Sequence, residues 1–347
     1  MLIFLYNTNE MITDIIKKLA EKKDLTDFEM KAVMEKITEG KIMPSQAGAF
    51  LMGLRMKGET IDEITSAVEV LKEKAIQFST DKNAIDIIGT GGDNAGTFNV
   101  STSAAFIVAS GGVPVTKHGN RSLTSKSGAA DVLEILGADI NLDSNQNKKI
   151  LDKLNICFLF ASKYNPLMKN ILPVRKDLKV RTIFNALGPL INPSNAKMQL
   201  IGVYDKSLVV PIAHVMANLG VKSGMTLFGE CGLDEASVVG KTFYARIKDN
   251  SVTTGEFTPE EFGIKPCGLE YISGGEPEEN AEIMKNIFLG KESVERKNVV
   301  CLNAACAFLI ADKVKSLKEG FEFAKSIIDK KEAYGLLMNF IEMTRRV

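Results

Sequence analysis

Apolar residues between positions 10 and 75 recur at helical spacing. Ile12, Ile15, Ile16 and Leu19 form one such row, Met30, Val33, Met34 and Ile37 a second, and Ala49, Leu51 and Leu54 a third. Thr26 with Glu29, and Thr60 with Glu63, have the spacing of capping boxes, so helices are predicted to begin there. Ser45 suits the start of the helix between them, Gly40 and Gly58 suit helix ends, and the last helix runs to about Lys74. The stretch predicts a small helical bundle without catalytic residue types. Its exposed Met and Leu serve either a dimer face or a monomer's core.

Past a polar link at 75–83 the period changes. Short apolar runs at 85–88, 113–116, 156–161, 198–204 and 224–229 read as strands, the first with Asp86 inside it. Helical runs at 104–110, 129–136 and up to Leu219 separate them, the alternation of an α/β domain. Residues 162–193 read as a largely helical insert, 240–275 as irregular β structure, and the chain from about Glu279 as helix, ending with 304–310 and 317–345. The expected fold is a large α/β domain, its central mixed sheet flanked by helices, plus a small all-helical domain. The expected boundaries are 1–75 with the insert at about 165–195, and 76–164 with 196–347.

The polar residues between these elements carry the candidate chemistry. After the first run comes Gly89-Thr-Gly-Gly-Asp93, whose glycines let the backbone approach a ligand with no Cβ in the way. The loop continues to Thr97, and Asn99-Val100-Ser101-Thr102 opens the next helix, with Ser101 or Thr102 as its N-cap. Backbone N–H groups and hydroxyls at such a start suit an anion. The second run ends in Lys117-His118-Gly119-Asn120-Arg121-Ser122, followed by Leu123-Thr124-Ser125 and a helix from Ala129. Two strand–loop–helix units thus place polar loops at one sheet edge, where open α/β sheets bind ligands, and they imply a polyphosphate or diphosphate ester. Asp234 and Glu235 follow the fifth run and suit a hard divalent cation. Arg175 and Arg181, six apart, do not share one face of a straight helix; either can clamp a carboxylate.

Composition narrows the class. Lys plus Arg and Asp plus Glu are 43 each, so no net field recruits nucleic acid or a membrane surface. Five cysteines without a C-x-x-C pair suit a reducing cytoplasm. Two histidines, His118 and His214, are too few for a His-based metal site. The N-terminus shows no signal-peptide pattern, and no apolar run approaches the ~20 residues of a membrane span.

In order, GTGGD, NVST, KHGNRS, PVRK with VRTIFNALGPLINP, and GLDE resemble the anthranilate phosphoribosyltransferase family over nearly the whole chain. The resemblance implies transfer of the phosphoribosyl group of 5-phosphoribosyl 1-diphosphate to the amine of anthranilate, in tryptophan biosynthesis. It implies cytoplasmic homodimers joined through the small domain. Carried over by motif, Gly89, Gly92, Asp93, Thr97, Asn99, Val100, Ser101, Thr102, Lys117, His118, Gly119, Asn120, Arg121, Ser122, Leu123, Thr124, Ser125 and Ala129 bind the sugar diphosphate. Gly89, Asn120 and Arg175 bind anthranilate, and Ser101, Asp234 and Glu235 hold Mg²⁺. No catalytic side chain is assigned, although His118 is a candidate to take the amine's proton late. Asn165 stands where the family often has His, and Phe228 and Cys231 where His and Asp are common. GTGGD is also shared loosely with pyrimidine nucleoside phosphorylases, the alternative reading, which KHGNRS and the acidic pair disfavour. A nucleic-acid-binding relative without catalysis is a further alternative, disfavoured by the zero net charge.

Overall fold

A computed structural model describes residues 8–92, 95–122, 126–249 and 251–347. It divides into two compact units, Met1–Ile76 with Asn165–Ile191, and Gln77–Tyr164 with Asn192–Val347. The regular elements of the first are helical: Thr8–Ala20, Asp27–Thr38, Pro44–Lys57, Ile61–Lys74, and, from the insert, Leu172–Leu178 and Phe184–Leu190. Both expected capping boxes are formed. The third helix differs at its start. Met43 holds the cap position with no side-chain bond and Pro44 follows it, so Ser45 is not the cap. Proline's fixed φ prepares that first turn, and its missing N–H needs no acceptor. Apolar residues at the expected spacing, among them Ile12, Met30, Val33, Phe50 and Leu54, are buried. The large apolar side chains most exposed on these helices are Phe28, Met43 and Met56.

The second unit is built on a seven-stranded sheet. Its strands are β1 (Ile85–Gly89), β2 (Val115–Gly119), β3 (Ile156–Phe160), β4 (Met198–Gly202), β5 (Ser223–Gly229), β6 (Thr242–Lys248) and β7 (Ser251–Phe257), in the order β3-β2-β1-β4-β5-β6-β7. The first five are parallel, and β6 and β7 continue the sheet antiparallel. The sheet is therefore mixed, and 242–248 and 251–257 are regular antiparallel strands rather than irregular structure. The C-terminal helix is also divided, into Leu317–Asp329 and Glu332–Thr344, at Lys331 with φ 59°.

Alternation along the parallel strands separates two faces. Ile85, Ile87, Val115, Ile156, Phe158, Leu200 and Leu227 enter the main core, together with the apolar helices Val100–Ser110 and Val294–Ile310. Cys157 and Leu159 point the other way, into a smaller cluster with Phe78, Leu151 and Tyr164. Asp86, Thr116 and His118 occupy positions of that second parity, all buried.

Gly202 ends β4, and a Cβ placed there would lie 1.5 Å from the backbone oxygen of Asp234. Gly202→Ala is expected to destabilise the protein by about 2 kcal/mol or more, because a backbone neighbour cannot rotate away. Gly188→Ala, where a Cβ meets nothing within 4 Å, serves as control and should change stability little. Urea denaturation of the two variants measures the contrast.

Candidate active site

Strand order reverses between β1 and β4, because the chain builds outward through β2 and β3 and then returns to the opposite side of β1. The crevice at the carboxyl ends of such a strand pair is the usual ligand site of an open α/β sheet. Here Gly89 and Gly202 are cross-strand partners. Asp234 lies over both, since a Cβ on Gly89 would come within 2.3 Å of its Oδ2. The Gly91 N–H donates to that same oxygen at 2.6 Å, and the Thr90 N–H donates to the Gly202 carbonyl at 2.9 Å. Gly91 and Gly92 take φ of 65° and 69°, a region open to glycine at little cost.

A tight return brings the acidic pair to this point. Gly229 and Leu233 bond each other's backbone in both directions, with Cys231 and Gly232 left-handed between them. Asn303, the one polar side chain in the run Val299–Ile310 that buries its amide on this segment, accepts from the Ala236 N–H and donates to the Ala236 carbonyl. Asp234 and Glu235 are buried as a result.

The helix at this edge is Val100–Ser110 with Asn99 as N-cap. The expectation of Ser101 or Thr102 as cap is corrected, for both lie inside the first turn. Asn99 does not cap either, because its amide is engaged elsewhere. Its Nδ2 donates to the Ser127 carbonyl, and its Oδ1 accepts from Ser127 Oγ and from Asn280 Nδ2. Among the described residues no side chain therefore caps this helix start, which leaves it suited to an anion. The preceding loop is fixed by a bridge between Thr97 and Ser273 and by the Gly274 N–H on the Gly96 carbonyl.

The second loop begins later than expected. Lys117, His118 and Gly119 belong to β2, because this strand pairs along its whole length with β3 and every residue in it is buried. Lys117 shares the parity of Val115, on the side of the helix Val100–Ser110, and its Nζ donates to the Ile87 carbonyl at 2.8 Å. Burial pushes its pKa down from 10.5 to about 8, against the pull of Asp86, Glu235 and Asp234. Asp86 is buried on the opposite side, accepts from the His118 N–H, and is pushed up to about 6 by burial, with Lys117 opposing. His118 shares the strand face of Cys157 and Leu159, and its side chain is buried.

Asn120 Oδ1 accepts from Ser162 Oγ and from the Arg121 N–H. The Arg121 guanidinium bonds both oxygens of Glu134 and reaches Asp131, so its backbone, not its head, is presented at the edge. Ala129 packs beside Gly119. Asp93 and Leu123, Thr124 and Ser125 lie outside the described residues. The structure thus brings residues 89–92, 95–102, 117–122 and 234–235 to one end of one sheet. Among the described residues no group of three or more His, Cys, Asp or Glu could hold a metal ion. Asp234 and Glu235 alone offer two carboxylates there.

Arg175 belongs to the helical unit. It lies 5.6 Å over the Phe184 ring, is half-buried, and forms no ion pair among the described residues. Burial pulls its pKa below the usual arginine value. Arg181 is also half-buried, and its carbonyl accepts from Arg55. Asn165 is buried in the same unit, and on the sheet Cys231 is exposed and Phe228 pairs with Phe243. Sequence reasoning passed over Asn303, Asn280 and Asp131, which hold the loops in place. A lone Asn in the apolar run around 303 was the available signal.

Because the folded pKa of Lys117 lies below its ordinary value, burial costs stability wherever the lysine is charged. That cost is complete below about pH 8 and disappears as pH rises past 10.5. Lys117→Met should therefore be more stable than the parent at pH 7. The gap should close at high pH. Urea unfolding at several pH values checks this, and a less stable variant at pH 7 would show that the bond to Ile87 outweighs desolvation.

Comparison with known proteins agrees with this architecture. The glycosyl transferase family's helical bundle domain matches residues 13–75, and its a/b domain matches residues 81–334. An anthranilate phosphoribosyltransferase of Methanobrevibacter smithii is 45% identical over 334 residues, covering 96% of this chain and 99% of that protein. The crystal structure of the Thermus thermophilus anthranilate phosphoribosyltransferase superposes with a TM-score of 0.90 at 36% identity, over 96% of this chain and 99% of that one. The Saccharomyces cerevisiae enzyme in complex with PRPP and Mg gives a TM-score of 0.89 at 28% identity, over 97% and 99%. With both family domains in order and relatives this similar along their full length, the chain belongs to the anthranilate phosphoribosyltransferase family of glycosyl transferases.

Proposed function

We propose that this protein transfers the phosphoribosyl group of 5-phosphoribosyl 1-diphosphate to the amine of anthranilate, in tryptophan biosynthesis. The observation that carries the proposal is the meeting of Asp234 with Gly89 and Gly91 at the β1/β4 switch point, beside an uncapped helix start and a buried lysine. That combination suits a ligand with clustered negative charge that binds through a cation. A yeast relative bound to PRPP and Mg supports it.

The reaction forms a C–N bond at C1 of the ribose and breaks the C–O bond to diphosphate, which leaves with the electron pair, while the amine nitrogen releases one proton. An aryl amine is neutral near pH 7 and already nucleophilic, so the difficult event is departure of the diphosphate. N–H groups at the start of Val100–Ser110, the hydroxyls of Ser101 and Thr102, and the Lys117 ammonium would stabilise the charge that develops there. Thr102 Oγ1 is buried without a hydrogen-bond partner among the described residues, which leaves it available. Gly92, Thr97 and the backbone of Gly119–Ser122 complete the proposed sugar-diphosphate site. Asn120 and Arg175 are the proposed anthranilate contacts. Half-buried without a carboxylate of its own, Arg175 would hold the substrate's carboxylate and so orient the amine.

Asp234, Glu235 and the Ser101 hydroxyl would hold Mg²⁺. The donor set fits, because Mg²⁺ is commonly bound by one or two carboxylates plus substrate phosphates rather than by a protein cage. When bound, the ion neutralises charge on the diphosphate. A cytoplasmic homodimer, joined through the small helical unit, is part of the same proposal; Phe28, Met43 and Met56 are exposed apolar residues there. Among the described residues no helix is long and apolar enough to cross a membrane.

The decisive experiment follows anthranilate fluorescence with the purified protein, the sugar diphosphate and Mg²⁺. Loss of signal dependent on all three is expected; turnover of thymidine or uridine with phosphate instead would favour the phosphorylase. Arg175→Ala should raise the KM for anthranilate by about tenfold or more while leaving that of the sugar diphosphate nearly unchanged. Equal effects on both substrates would remove Arg175 from the anthranilate site. Asp234→Asn with Glu235→Gln should move the Mg²⁺ titration of activity to higher concentration, and an unmoved titration would exclude the pair as ligands.

A further inference from the structure

One carboxylate holds the described ends of the second loop together. Asp131 sits in the first turn of the helix Ala129–Ile135. Its Oδ2 accepts from the Ser122 N–H at 3.0 Å and from the Gly128 N–H at 2.9 Å. Its Oδ1 accepts from Arg121 at 3.4 Å. The two ends are in backbone contact, for a Cβ on Gly128 would lie 2.4 Å from the Ser122 nitrogen and 2.6 Å from the Asn120 carbonyl oxygen. The Ala130 N–H donates to that same carbonyl. Ser127 then ties this segment to Asn99, the N-cap residue of the other loop's helix.

A carboxylate this close to a proposed diphosphate site opposes the ligand's charge through space. Surface ion pairing of Arg121 does not require it, since Glu134 already binds that guanidinium through both oxygens. What Asp131 alone does is satisfy two backbone donors from opposite ends of the loop with one oxygen. This fixes the path of Arg121–Ser122 before any ligand arrives, and so removes an ordering cost that binding would otherwise meet.

We propose that Asp131 is a positioning residue for the sugar diphosphate, acting through the backbone of Arg121–Ser122 and not by contact with the substrate. The inference rests on the proposed function. Asp131→Ala should raise the KM for 5-phosphoribosyl 1-diphosphate by about tenfold, the loss expected for a charge-assisted hydrogen bond, with the anthranilate KM within about twofold of the parent. Asp131→Asn keeps an oxygen that can accept from both N–H groups and should recover most of the loss.

Both KM values rising together, neither rising, or an asparagine variant no better than alanine would each overturn the proposal. Hydrogen exchange at the Ser122 and Gly128 amides supplies a readout independent of turnover. Faster exchange at both in Asp131→Ala, with Asp131→Asn near the parent, supports the pinning, and unchanged exchange overturns it. A parent protein that consumes no anthranilate would instead overturn the proposed function, leaving the exchange measurement to decide the role of Asp131.

Discussion

The close approach of Asp234 to two strand ends is the contact on which the site depends. Two glycines, paired across β1 and β4, leave the space a carboxylate and its backbone require. With any side chain at position 202, the segment after β5 could not cross the sheet end. The Gly91 N–H would then lose its partner, and the two acids would lie away from the loops that follow β1 and β2. Asn303 and the left-handed Cys231 and Gly232 serve this one approach from the other side, by turning the chain back and clamping it at Ala236.

The same end of the sheet concentrates charge that a purely structural core would omit. Lys117 is buried on one face and Asp86 on the other, while Asp234 and Glu235 lie at the edge. Buried charges are costly unless compensated, and here compensation is partial, so burial depresses the lysine pKa and raises that of Asp86. A site that must meet several negative oxygens and a cation together has reason to keep such groups in place beforehand. Pre-set charges need no reorganisation when charge moves onto the leaving group. Stability given up at Lys117 and Asp86 is the counterpart of that arrangement.

Bracing by short polar side chains completes the design. Asn99 and Asn280 bond groups from segments far apart in sequence, Asp131 bonds the two ends of its own loop, and together they join the two loops. None of the three needs to touch a ligand to matter. Each replaces a flexible polar backbone with a fixed one at this sheet edge.

Much of this was legible in the chain itself. Capping boxes at Thr26 and Thr60, helical spacing in the bundle, the alternation of strands and helices, and the glycines after β1 all act through neighbours within a few residues, so the sequence alone determined them. It also determined that two polar loops follow successive strands. It could not determine that Lys117 and His118 lie inside β2, because the strand's extent depends on pairing with β3, nor that their side chains leave by opposite faces. It misassigned the cap of the helix Val100–Ser110, since Asn99, Ser101 and Thr102 are all good caps locally and the choice turns on Ser127 and Asn280. Tertiary structure alone decided that Asp234 meets Gly91, 143 residues earlier. Hydrogen bonds and close backbone approach act over about 3 Å in space, and at that separation along the chain only the folded sheet can bring the two together.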